Sequence, residues 1–173
     1  MERNYKGEKY MFNIFKKKEE KSVKSLKAIV SGNAIELKDV PDEIFASKAL
    51  GDGIAIIPND NIVVAPCECT VVTMNEAMKH ACGLRLDNGL EILIHVGIDT
   101  VRLQGEGFKQ FVKEGAVVKA GQPLLEFNRD IIKNNNLCDY VMMILTDLGN
   151  VKGNYTINYG NVINNENVVI EWR

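Results

Sequence analysis

The chain contains two histidines, His80 and His95, one on each side of an Asn88-Gly89 pair. If they meet on one surface, three kinds of chemistry are open. A neutral imidazole is a good nucleophile toward phosphorus, and a second imidazole can donate to phosphoryl oxygens. The pair could instead ligate a metal, which normally requires a third ligand. Both could also be satisfied structural histidines. Residue types alone leave all three open.

The elements around the pair decide whether they meet. Asn-Gly between two apolar runs signals a hairpin, because both residues tolerate the positive φ of a type I′ turn. With Asn88-Gly89 as a two-residue loop, Asp87 faces Leu90, Leu84 faces Leu93 and Cys82 faces His95. His80 then shares the face of His95, with Cβ atoms about 7–8 Å apart. A loop of Asp87-Asn88 would set the histidines directly opposite each other. A three-residue loop without a bulge would place them on opposite faces. In the favoured register Leu84, Leu86 and Leu93 share the histidine face, and Ile92, Ile94 and Val96 take the other. An apolar face desolvates imidazoles and keeps them neutral near pH 7, and adjacent imidazoles oppose each other's charging.

Elsewhere, short apolar runs at 28–31, 53–57, 62–65 and 70–74 are punctuated by Gly51-Asp52-Gly53 and Asn59-Asp60-Asn61. This spacing predicts an all-β sandwich or barrel. Residues 42–50, after Pro41, suit one short helical turn. Residues 115–127 read as two short strands around Lys119-Ala120-Gly121, and residues 128–136 as a short helix or turn. Further strands are expected at 140–145, 155–159 and 167–172. The expectation is one domain over residues 26–173, preceded by a flexible basic tail over 1–25.

An apolar content of 46% and a charged content of 25% are ordinary for a soluble globular protein. No apolar run reaches the length of a membrane span and no secretory signal is visible, so a soluble cytoplasmic protein is expected, as a monomer. The cysteines Cys67, Cys69, Cys82 and Cys138 lack paired CxxC spacing and suit reduced, packed thiols better than a disulfide framework or a zinc site. The net charge of −2 divides into about +5 over residues 1–27 and about −7 over the rest. The acidic part favours a basic partner and argues against nucleic acid. Met11, Phe12, Ile14 and Phe15, followed by Lys16, Lys17 and Lys18, could touch an anionic membrane weakly, or form a solvated leader. Lys6-Gly7-Glu8 can be encoded by a purine-rich run resembling a ribosome-binding site, so translation is expected to start at Met11. No GxxxxGK[ST], GxSxG, HExxH or EF-hand pattern occurs, and no cofactor or metal is expected.

The run GLEILIHVGIDTVRLQGEGF, from Gly89, resembles the active-site signature of the glucose-family enzyme IIA of the bacterial phosphoenolpyruvate–sugar phosphotransferase system. The resemblance extends from about Leu26 to the C-terminus: DVPDEIFASKALGDGIAIIP, Val64-Ala65-Pro66, KHACGLRL and EGAVVKAGQPLLEF follow in order. It implies an antiparallel β-sandwich with the histidines in a shallow apolar depression. By motif position, His95 would take a phosphoryl group from the small carrier HPr and pass it to a sugar-specific IIB domain. His80 would stabilise the phosphoryl group. The carbonyl of Gly97 would hold the Nδ1 proton of His95 and leave Nε2 as nucleophile. Phe45 and Val96 would belong to the docking rim, and Asp42 and Asp99 would pair with basic residues of the donor.

Two departures stand out. The family usually has Thr two residues before the first histidine, where this chain has Met78. It usually has a turn glycine where this chain has Cys69, a position at which positive φ would strain a side chain. Three other readings compete. Glu76-Ala77-Met78-Lys79 mimics a biotin- or lipoyl-carrier motif with Lys79 as the modified residue. His95-Val96-Gly97-Ile98-Asp99 matches half of a zinc endopeptidase ligand set, but two histidines cannot also supply its HxH. A regulatory binding module of the same fold, without phosphotransfer, is the third.

Overall fold

The computed structural model describes residues 24–151 and 153–173. Up to residue 23 the expected basic tail, with its Met11–Lys18 segment, lies outside the described residues. The strands are β1 (Ser25–Lys27), β2 (Gly32–Glu36), β3 (Asp52–Pro58), β4 (Ile62–Val64), β5 (Cys69–Met74), β6 (Ala81–Arg85) and β7 (Glu91–Ile98). They continue as β8 (Phe108–Gln110), β9 (Val117–Val118), β10 (Pro123–Phe127), β11 (Cys138–Asp147), β12 (Tyr155–Ile157), β13 (Gly160–Val162) and β14 (Val168–Trp172). Two short helices, α1 (Glu43–Ala46) and α2 (Arg129–Asn134), and 3-10 turns at Leu37–Asp39 and Thr100–Leu103 complete the elements among the described residues.

Every strand pairing is antiparallel. The large sheet has the order β13-β2-β3-β11-β7-β6-β5-β9, and the small sheets are β4-β10-β8 and β1-β14-β12. One face of the large sheet and the two small sheets share the main core, which takes Ile54 and Ile56 from β3, Ile92, Ile94 and Val96 from β7, and Val141, Met143 and Leu145 from β11. The pleat sends the alternate residues Ala55, Met142 and Ile144 to the opposite face, where Leu37, Val40 and Phe45 cover them in a second cluster. Burial on both faces explains the unbroken Val-Met-Met-Ile-Leu run of β11.

The expected antiparallel all-β sandwich with one or two short helices is therefore present, with local differences. Residues 28–31 are not a strand. Ala28, Ile29 and Val30 are fully buried, but they cross from β1, in a small sheet, to β2, in the large one. The apolar run recorded burial there and not pairing. Strands β8 and β13 are too short to show a period in sequence. Cys69 opens β5, paired to Val118, and is not among the residues with positive φ, so the departure from the family glycine carries no left-handed strain. Its thiol and those of Cys67 and Cys82 are buried in the main core. Burial pushes the Cys82 thiol up to about 12, as suits an inert packed cysteine.

The hairpin register also differs from the favoured expectation. Ala81 pairs with His95, Cys82 with Ile94 and Leu84 with Ile92, one residue away from the register that Asn88-Gly89 alone would set. The loop has three residues, Asp87, Asn88 and Gly89, closed by Leu86 N–H to Leu90 O at 2.9 Å and Gly89 N–H to Leu86 O at 2.9 Å. Only Gly89 has positive φ, +84°, and Asn88 Oδ1 accepts from Leu90 N–H at 3.0 Å. A type I turn followed by a left-handed glycine is the common three-residue solution, and here it replaces type I′. Leu84 and Leu86 consequently join Ile92 and Ile94 in the main core, while Leu93 stays with the histidine face.

Candidate functional site at the histidine pair

His95 sits on β7 opposite Met142 of β11, on the face that carries the second cluster. Its alternate neighbours Ile94 and Val96 are fully buried in the main core. Fully burying such a side chain stabilises a domain by about 1.5–3 kcal/mol, so the pleat fixes the direction of His95 firmly. Val96 is thereby excluded from the expected docking rim: it has 0% exposure and points inward. Asp42 explains the position of Phe45. Its carboxylate caps α1, accepting from Ile44 N–H at 2.9 Å and Phe45 N–H at 3.2 Å. Phe45 then lies buried against His95, ring centroids 5.2 Å apart. Ile44 beside it and Val101 after the His95 turn are exposed apolar residues, at 56% and 47%, which motif reading did not select. Asp99 is exposed at the start of the turn Thr100–Leu103.

His80 reaches the pair by a different route. Val96 N–H donates to His80 O at 2.8 Å, so a regular pleat would send the His80 side chain to the core with Val96. His80, however, precedes β6, and Lys79 adopts φ +58°. This left-handed residue takes the chain out of the pleat, and the His80 ring lies edge-on to His95 at 4.8 Å, with Phe108 6.4 Å behind it. The histidines meet even though the register is the one expected to separate them.

After His95 the strand is distorted at Gly97, φ +78°, before ending at Ile98, and the Gly97 carbonyl accepts from His95 Nδ1 at 2.9 Å. A Cβ on residue 97 would lie 2.2 Å from Thr100 Cγ2 and 2.9 Å from Cys138 O, so only glycine fits. Thr100, fully buried, holds the same turn by donating its hydroxyl to Val96 O at 2.5 Å. The signal for Thr100 lay inside the signature, but a threonine has no chemistry that singles it out before its burial is seen.

Both imidazoles are held neutral. Burial first, and then the neighbouring His80, push His95 down to about 4, against the opposing influence of the Gly97 carbonyl and Asp42. Burial lowers His80 below the ordinary histidine value as well. A neutral His95 with its Nδ1 proton on a carbonyl presents an Nε2 lone pair, the form required of a nucleophile. An apolar groove of about 270 Å³, lined by Val72, Ala81, Gly83, Leu93 and Thr146 among others, takes in Ala81, the residue after His80, but neither histidine. A larger groove, about 630 Å³, lies between Asn59, Asp60, Asn61 and α2 and includes neither histidine. Chemistry therefore locates the site better than volume does. Among the described residues no three His, Cys, Asp or Glu side chains gather closely enough to hold a metal ion.

Comparison with known proteins assigns the chain to a class. The family model described as "phosphoenolpyruvate-dependent sugar phosphotransferase system, EIIA 1" matches residues 24–151, and the chain belongs to that family. A glucose-specific EIIA component of this system from Buchnera aphidicola is 37% identical, with 93% of this chain and 96% of that protein covered. The N-acetylglucosamine-specific EIICBA component from Klebsiella pneumoniae is 46% identical over 79% of this chain. The chain spans only 22% of that longer relative. Among solved structures, the glucose permease IIA from Mycoplasma capricolum superposes with a TM-score of 0.76 at 36% identity, covering 87% of this chain and 96% of that one.

Proposed function

We propose that the chain is a phosphoryl carrier of a sugar phosphotransferase system. It accepts the group on His95 from phospho-HPr and passes it to a sugar-specific IIB domain for sugar uptake. The single observation that carries this reading is His95 itself: a desolvated, neutral imidazole whose Nδ1 donates to Gly97 O at 2.9 Å, leaving Nε2 free beside a second histidine. In the forward step the N–P bond of the donor breaks as one forms to His95 Nε2, and His80 steadies the phosphoryl oxygens. The apolar groove, Phe45 and the exposed Ile44 and Val101 supply a surface on which donor and acceptor dock in turn. Asp99 and Asp42 add acidic charge for a basic partner. The protein works as a cytoplasmic monomer through a domain over residues 26–173, with the basic tail over 1–25 as a solvated leader or a weak contact with an anionic membrane. Among the described residues no helix is long and apolar enough to cross a membrane.

The test is incubation with phosphoenolpyruvate, enzyme I and HPr, followed by intact-mass measurement. One acid-labile, alkali-stable phosphate is expected on the wild type and none on His95→Ala. His80→Ala should still accept phosphate but fail in onward transfer. A wild-type protein that takes no phosphate would favour the regulatory binding module, and a constant biotin or lipoyl adduct would revive Lys79 as a modified residue.

A further inference from the structure

The partner of His80 Nδ1 is the carbonyl of Met78, at 3.3 Å. A carbonyl can only accept, so Nδ1 carries the proton and the neutral ring has a bare lone pair on Nε2. The carbonyl is held there by a built turn. Asn75 Oδ1 accepts from Ala77 N–H and from Met78 N–H, each at 2.9 Å. The backbone carbonyl of Asn75 accepts from Lys79 N–H at 2.9 Å and, across the fold, from the Gln110 side-chain amide at 2.9 Å. The turn at Gly105 packs so closely on this loop that a Cβ there would lie 2.4 Å from Ala77 O. A threonine at position 78 would offer a hydroxyl able to donate to Nδ1, which would free the proton for Nε2; methionine offers no donor.

This has a consequence for the phosphoryl reading, on which the inference rests. Neutral His80 would present a lone pair to the phosphoryl oxygens on His95, and lone pairs repel. We infer that Asn75, Gln110 and the Met78 carbonyl lock His80 as the Nδ1–H tautomer, so that it supports phospho-His95 only as an imidazolium, binding one solvent proton on Nε2. The step balances: the donor's N–P bond breaks, the His95 Nε2–P bond forms, and one proton passes from water to His80. The resting ring is neutral through burial, and the arriving dianion supplies the field that charges it. The ionisable groups on the elements about His80 include His95 from β7, Glu76 and Lys79 of its own loop, Lys109 of β8 and Lys113 beyond it, which line a groove with Glu76, Lys79 and Phe108, and Asp42, which acts on His95. None of these replaces a donor at Nε2. Asn75 and Gln110 are positioning residues for His80.

The experiment is ¹⁵N imidazole NMR of the full chain with and without phosphate on His95, across pH. In the resting protein His80 is expected to show a protonated Nδ1 and an unprotonated Nε2, and in the phosphoprotein both nitrogens protonated at a pH where the resting ring is neutral. The transfer equilibrium from phospho-HPr should then fall about tenfold per pH unit between the His80 pKa of the resting protein and that of the phosphoprotein, and level off above the latter. Met78→Thr should move the resting proton to Nε2 and flatten that pH dependence. Asn75→Ala should give mixed tautomers and slower onward transfer, restored by Asn75→Asp, which keeps the acceptor. Phosphate on His95 with no rise in the His80 pKa over the resting protein, or a resting Nε2–H tautomer in the wild type, overturns this inference alone. Absence of any phosphate overturns the phosphoryl-carrier reading as well.

Discussion

Gly97→Ala tests whether the turn after His95 is what aims its imidazole. Two penalties can be worked from the geometry. A side chain held at φ +78° costs about 1–2 kcal/mol relative to the right-handed region. The new methyl would also stand 2.2 Å from Thr100 Cγ2 and 2.9 Å from Cys138 O, and such overpacking costs about 1–3 kcal/mol. Together these give about 2–5 kcal/mol, below the stability of most domains, so a folded but loosened protein is expected. Urea unfolding gives the cost, and the ¹⁵N spectrum of His95 reports whether Nδ1 still donates to the displaced carbonyl. Thr100→Ser removes the clashing methyl and keeps the hydroxyl that donates to Val96 O. In the double variant the share of the overpacking due to the Thr100 methyl should be recovered, while the contact with Cys138 O and the backbone part remain. A Gly97→Ala cost below about 1 kcal/mol, or no relief from Thr100→Ser, would refute the account of this turn.

Two further outcomes concern the same residues. Because the folded-state pKa of His95 is depressed to about 4, the unfolded chain binds the extra proton between that value and about 6.5. The stability it contributes is therefore present above about 6.5 and lost as pH falls toward 4, on the order of 3 kcal/mol, and the slope measured by urea titration should diminish in His95→Gln. Asp42→Ala should cost about 1 kcal/mol through the lost cap of α1, while Asp42→Asn retains a capping oxygen and should cost less. If the charge also recruits a basic donor, both variants should slow phosphoryl acceptance alike, and added salt should erase the difference from wild type.

Much of this was visible in the residues because the relevant signals are local. Asp42 after Pro41 announces α1, Asn128 announces α2, and both cap as their chemistry suggests. The signature around His95 carried Gly97 and its carbonyl with it. What could not be read depended on partners distant in sequence. Val96 looks like a surface neighbour of a reactive histidine until the small sheets are seen to cover its face of the large sheet. The three-residue loop could not be told from Asn-Gly alone, because the choice between one and two left-handed residues is settled by the whole ladder. The Asn75–Gln110 contact joins residues 35 positions apart and has no sequence pattern at all.

The two histidines are also grounded differently in the fold, and their motions should differ accordingly. His95 sits on β7, paired on one side to Met142 of β11 and on the other to Ala81 of β6, so its backbone opens only when the sheet does. In hydrogen-exchange terms it belongs to the most cooperative unit of the domain, with protection approaching the global unfolding free energy. His80 stands at the mouth of that ladder on a loop held by Asn75 and by the Gln110 amide across the fold, which can open without the sheet. One half of the pair is a fixed anvil, and the other can be retimed by substitutions in residues 75–79 without disturbing the core.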